Sequence, residues 1–288
     1  MFRNCKTFCT KNNKVMKSIV VPVNFSLCAA NAAHYAADLA LVIKADIHLI
    51  HVLQVRVSSA ELMMTDDVYQ EIIEAANLAL QQLQVELIRR THQKIKVDYT
   101  LESGIVSVKV QELCLQMKPY AVVLGAAAST LEKFLGGSPV ASLLQHLDFP
   151  ILVVPQAAAF HRFSRILLAC DLDDLGSGMP NFLPLLKDLR AHFGSRFDIV
   201  TVETNKALHD EAFALESGGW KEQLKDLYPD IHYIRKPKVE DGILEYLSHH
   251  DADLVMVFPK KHDLFDFRTS QSRRLAQHSP VPVLSLHE

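Results

Sequence analysis

Hydrophobic and polar positions alternate along the chain between short apolar runs and longer amphipathic stretches. Lys17–Val23 is a β-branched run holding Ile19, Val20, Val21 and Val23, the pattern of a parallel strand covered on both faces. Pro22 is costly inside a central strand and is expected at its end. Asn24-Phe25-Ser26 then turns the chain into a helix, with Ser26 as N-cap and Ala32, Tyr35, Leu39 and Val42 at helical spacing. Ile47–Leu53 reads as the next strand; its histidines, His48 and His51, read as strand residues because nothing nearby completes a metal site. A long helix is predicted from Asp67 to Arg90, with Ile72, Ile73, Ala76, Leu80, Leu83 and Leu87 as its inward stripe. Lys94–Leu101 alternates Ile95, Val97, Tyr99 and Leu101 with polar residues, as a strand open on one face does, and helix Ile105–Met117 stops before Pro119. Tyr120–Val154 then supplies a strand ending at Gly125, a small-residue loop, a helix opened by Gly136-Gly137-Ser138-Pro139, and the strand Ile151–Val154.

Strands and helices in strict alternation predict a doubly wound parallel sheet with right-handed crossovers. Ligands in such sheets lie beyond the carboxyl ends of the strands, where the winding direction reverses. The loop after the first strand, Pro22-Val23-Asn24, should therefore meet the loop that begins at Gly125. A glycine-bearing turn ahead of a helix exposes N–H groups where the helix dipole favours a phosphate. A plain βα loop with glycines for tight turning accounts for the same residues.

After a linker, Gln156–Phe163, the pattern restarts. Arg165–Asp171 matches the first strand and its turn, and Phe182, Leu185, Leu186 and Leu189 mark a helix. Strands are predicted at Phe197–Val202, Ile231–Ile234, Asp253–Phe258 and Val281–Leu286, and helices at Asp210–Leu227, with the lone Trp220, and Gly242–His250. The stretch Gln145–Leu152 aligns with Gln277–Leu284, about 132 residues on, whereas the two first strands lie about 147 apart, so the second copy is the shorter. Two domains follow, at 16–156 and 164–288. The loop after the fourth strand of the second copy, Phe258-Pro259-Lys260-Lys261-His262-Asp263, lacks a glycine for close backbone approach to a phosphate.

The length of 288 residues accommodates two domains, and the net charge of −3 points to neither nucleic acid nor an anionic membrane. Five cysteines without finger-like spacing read as reduced thiols of a cytoplasmic protein. No apolar stretch has the length of a membrane span, and residues 1–15 have no signal-like apolar core, so they read as a disordered leader ahead of Met16. There is no nucleophile–base pair, no Gly-x-Ser-x-Gly elbow and no telling pair of carboxylates, so the residues themselves point to no enzymatic activity. His249, His250, Asp251 and Asp253 read as capping and solvated residues at a helix end.

Taken together, Ile19–Ser26, the pair His51-Val52, the loop from Gly125 to Gly137-Ser138 and the closing Phe149–Val154 resemble the universal stress protein family in its tandem, two-domain bacterial form. The resemblance implies two Rossmann-like α/β domains packed as an internal pseudo-dimer through edge strands or neighbouring surfaces. Some members bind ATP, with an aspartate after the first strand and a Gly-x-x-Gly-x9-Gly-Ser/Thr loop. Transferred here, Pro22, Val23 and Asn24 border the adenosine, Val52 lies near the base, and Gly125, Ala128, Gly137, Ser138 and Val140 line the phosphate path.

Four departures weaken that site. Asn24 stands for the aspartate, Ala128 for the second glycine, the spacer is one residue short, and Pro139-Val140 removes an N–H and a hydroxyl. The second copy keeps Asp171 but not the glycine loop. Two readings stay open: a stress-response protein that binds ATP or AMP, with or without Mg²⁺, in its first half and with at most weak ATP hydrolysis, and a protein-interaction module of the same fold. In either, the chain would pair with an unidentified protein partner or a second copy of itself.

Overall fold

The computed structural model describes residues 17–54, 66–126, 143, 147–170, 179–203, 224–257, 275 and 278–286. The described elements are β1 (Lys17–Pro22), α1 (Leu27–Ile43), β2 (Ala45–Leu53), α2 (Asp66–Arg90), β3 (Val97–Ser103), α3 (Val106–Met117), β4 (Ala121–Ala126) and β5 (Ile151–Pro155) in the first half. The second half has β6 (Arg165–Ala169), α4 (Met179–Phe193), β7 (Arg196–Glu203), β8 (Asp230–Arg235), α5 (Val239–His249), β9 (Leu254–Val257) and β10 (Val283–Ser285).

One ten-stranded sheet runs through the molecule in the order β3-β2-β1-β4-β5-β10-β9-β6-β7-β8. Pairing is parallel throughout each half, and the winding reverses between β1 and β4 in the first half and between β6 and β9 in the second. The halves join where β5 meets β10 antiparallel, with Val283 opposite Val153 and Leu284 opposite Leu152. All of these residues are buried.

Helices cover both faces, as the continuous apolar runs of the central strands require. Residues of α1, α2 and α4 pack on Ile19, Val21, Val123 and Leu152, and residues of α3 and α5 on Val20, Val122, Val153 and Val255. Helix α1 lies especially close because its inward face is mostly alanine: Ala29, Ala32, Ala33, Ala36, Ala37 and Ala40 are all buried. Ser26 caps it, its Oγ accepting from Ala29 N at 3.3 Å.

Several element boundaries differ from the sequence expectation. The third strand begins at Val97, three residues late, because left-handed residues at His92 and Gln93 reverse the chain and Lys94 N bonds back to Thr91 O. Ile72 is exposed: the buried stripe of α2 is Ala76, Leu80 and Leu87, and Ile72 lies about a sixth of a turn off its centre, near the start of the helix. Helix α5 starts at Val239 rather than Gly242. Gly242 is there to admit a neighbour, since a Cβ on it would stand 2.7 Å from Val202 Cγ2. The strand expected at Val281–Leu286 runs over Val283–Ser285, with Pro282 O accepting from Val255 N and Leu286 N donating to Val257 O at its two ends. Trp220, Asp171 and the Lys260-Lys261-His262 loop lie outside the described residues, as does the predicted helix from Asp210 to residue 223.

The linker is pinned to the core through Phe160 and Phe163. Phe163 is fully buried, with its ring 4.7 Å from that of Phe193 and 5.7 Å from that of Phe160, which meets Tyr35 of α1 edge-on at 5.2 Å. A polar contact lies nearby: Lys17 Nζ donates to both Asp188 oxygens at 2.6 Å, and Tyr120 OH to Oδ2 at 2.9 Å. Burial, reinforced by the Asp188 charge, holds the Tyr120 hydroxyl well above its ordinary pKa and keeps it a donor. Farther along the second half, buried Asp198 accepts from Tyr246 OH at 3.0 Å and faces Arg165 Nε at 3.4 Å.

Candidate functional site

At the reversal between β1 and β4 a cavity of about 400 Å³ opens beyond the carboxyl ends of β1, β2 and β4. That is the size of a small-ligand pocket. Its walls are mostly apolar, with Val23, Ile50, Val52, Val106, Leu124 and Leu143 among them, and the polar groups are gathered on Asn24, Ser26, His51 and Gln54.

The turn after β1 is tightly organised. Val23 N bonds Ile50 O at 2.9 Å, extending the β1–β2 ladder past Pro22. Asn24 Oδ1 accepts from Ser26 N at 3.1 Å and from Ser26 Oγ at 2.6 Å. Because Oδ1 is held by a backbone N–H, the Asn24 amide presents its NH₂ outward as a donor. Phe25 takes a left-handed φ of 59°, an unusual conformation for a bulky residue, and its ring rests on His51 with centroids 4.5 Å apart. His51 Nδ1–H donates to the Val23 carbonyl at 2.7 Å.

Gly125 has a role that spacing does not reveal. A Cβ there would stand 2.1 Å from Cys28 O and 3.0 Å from Ala29 N, so the glycine admits the first turn of α1 against β4. Its value is the missing side chain, since it lies in a strand and not in a left-handed turn. Cys28, beside it on the wall, donates its thiol to Gln156 Oε1 at 3.4 Å, and burial pushes that thiol up from its ordinary pKa.

Of the residues singled out from sequence, Pro22, Val23, Asn24, Val52 and Gly125 all line this one cavity. Ala128, Gly137, Ser138 and Val140 lie outside the described residues. Sequence reading missed His51, Ser26, Cys28 and Val106 as wall residues; their signal was a place within a few residues of a strand's carboxyl end or a helix's first turn. His48 is elsewhere, bonded through Nε2 to Thr100 Oγ1 at 2.7 Å. His249 Nδ1 lies 2.9 Å from Glu245 O, His250 stacks on Tyr246, and Asp253 Oδ2 accepts from Ser164 N and Arg165 N. Among the described residues no group of three His, Cys, Asp or Glu side chains could hold a metal ion, and no helix is long and apolar enough to cross a membrane.

Comparison with known proteins places these features. The structure of a universal stress protein from Archaeoglobus fulgidus DSM 4304 matches with a TM-score of 0.71 at 16% identity, over 94% of this chain and 96% of that one. A functionally unknown protein from Pseudomonas aeruginosa PAO1 matches with a TM-score of 0.55 at 14% identity, over 96% and 95% of the two chains. At such identities the likeness is one of fold. No curated protein matches the chain. The profile of the universal stress protein family matches residues 16–155, the stretch that builds the cavity walls from Pro22 to Leu143. That stretch, residues 16–155, is a universal stress protein domain.

Proposed function

We propose that the first half binds an adenine nucleotide, ATP or AMP, in the cavity beyond β1, β2 and β4, and that the bound state alters contacts with a protein partner during a stress response. The observation that carries this reading is the cavity itself, apolar where a base would sit and polar at the Asn24–Ser26 turn. The second half is its scaffold. In it Gly242 brings α5 onto Val202, whereas Val52 and Val106 of the first half line the cavity. We read the chain as a tandem cytoplasmic protein whose halves form an internal pseudo-dimer, and the β5–β10 pairing supports this.

Titration calorimetry with ATP, ADP and AMP, with and without Mg²⁺, tests the reading. Micromolar to sub-millimolar binding that Val106→Trp abolishes by filling the cavity supports it. No binding near millimolar nucleotide contradicts it. The interaction-module reading then stands, favoured by the exposed apolar residues Phe25, Leu27 and Ile105, neighbours in sequence of the wall residues Asn24, Ser26 and Val106.

The Asn24 turn yields a sharper expectation. Asn24→Asp keeps the oxygen that Ser26 N–H needs and converts the outward donor to an acceptor with charge. A hydrogen bond to a charged group contributes about 1.5–3 kcal/mol, so AMP affinity should rise tenfold or more by calorimetry. The melting temperature should hold or rise slightly, since the first turn of α1 has no acidic residue and a carboxylate at a helix N-terminus contributes about 0.3–1 kcal/mol.

A further inference from the structure

We propose that His51 is a ligand-binding residue of the cavity, its Nε2 accepting a hydrogen bond from an N–H or O–H group of the nucleotide; this deepens the function proposed above and rests on it. A carbonyl oxygen can only accept, so the 2.7 Å contact with Val23 O fixes the hydrogen of the neutral imidazole on Nδ1. Nε2 then carries a lone pair, on a side chain that lines the cavity and has the Phe25 ring on its face.

The second half separates what the fold needs from what it does not. There Cys170 N bonds Val200 O at 3.3 Å, as Val23 N bonds Ile50 O at 2.9 Å. These bonds put Thr201 in the place of His51, and Thr201 Oγ1 donates to Cys170 O at 3.1 Å. The same brace from the second strand to the turn after the first is made by a hydroxyl. An imidazole brings a second nitrogen and a flat ring that the brace does not use, and it stands on the wall of the cavity. Next to that threonine, Val202 is approached closely by Gly242 of α5.

His51→Thr is the informative variant, because the chain already uses threonine for the brace. Its melting temperature should match wild type while AMP affinity falls tenfold or more. His51→Ala should lower both. Two ligand arms identify the donor. Inosine monophosphate binding wild type as weakly as AMP binds His51→Thr assigns the exocyclic amine, and 2′-deoxy-AMP doing so assigns the ribose hydroxyl. A second readout does not depend on the variant's folding: in wild type, the His51 Nε2 resonance in ¹⁵N spectra should shift on AMP addition as the lone pair is engaged. Unchanged AMP affinity in a folded His51→Thr, or an unmoved Nε2 resonance on saturation, overturns the assignment and leaves His51 a brace alone. Wild-type protein that binds no adenine nucleotide overturns the function proposed above and this assignment with it.

Discussion

Gly125→Val is expected to lower the melting temperature by roughly 6–10 °C, from a loss of about 3 kcal/mol. Overpacking a core usually costs about 1–3 kcal/mol because side chains rotate away. Here the obstacle is backbone: the new Cβ would meet Cys28 O at 2.1 Å and Cys28 C at 2.4 Å, and no rotamer relieves it. Helix α1 must lift from β4, which breaks the contacts of its alanine face and moves Ser26 and Cys28 on the cavity wall. Differential scanning calorimetry reads the stability loss, and alkylation of Cys28, the half-buried cysteine of the wall, reads the displacement as faster labelling in native protein. A variant as stable and as slowly labelled as wild type would show that α1 does not need the glycine. Cys114 serves as the internal control. Burial pushes its thiol up to about 12, and it should react only on unfolding.

Phe163→Ala should be the costliest substitution outside the cavity. A fully buried phenylalanine truncated to alanine loses about 3–5 kcal/mol through lost transfer energy and the void left behind. The ring has two aromatic neighbours, Phe160 and Phe193, and its carbonyl accepts from Ser195 Oγ at 2.6 Å. The site lies where the linker and α4 of the second half meet α1 of the first, so its loss also weakens the coupling of the halves. Urea unfolding should shift to a lower midpoint and broaden toward two transitions as the halves melt separately. An unchanged single transition would mean that the β5–β10 pairing and the Lys17–Asp188–Tyr120 contact hold the halves together without the aromatic cluster.

The element order was legible in the sequence because strands covered on both faces leave continuous apolar runs, as Ile19–Val21 and Ala121–Leu124 do. The doubly wound sheet and the place of its crevice follow from that order, and Pro22, Val23, Asn24 and Gly125 do meet there. What pattern could not give were facts of approach between distant segments. Gly125 and Gly242 look like turn or helix-start residues in sequence, yet each is fixed by a neighbour far along the chain, Cys28 for one and Val202 for the other. His51 reads as one more strand residue until the Val23 carbonyl is seen to set its tautomer. Phe160 and Phe163 sit in a stretch too short to show a period, and only the approach of α4 reveals them as core. Ala128, Gly137, Ser138 and Val140, expected along the phosphate path, lie outside the described residues, so that part of the site rests on the family resemblance.

The most direct test is to denature freshly purified protein and analyse the small molecules released, with calorimetry of the emptied and refolded protein alongside. The account predicts an adenine nucleotide recovered at up to one per chain, or, where purification has stripped it, rebinding of ATP or AMP that Val106→Trp abolishes. Protein that releases no nucleotide and ignores ATP, ADP and AMP near millimolar concentration would contradict it.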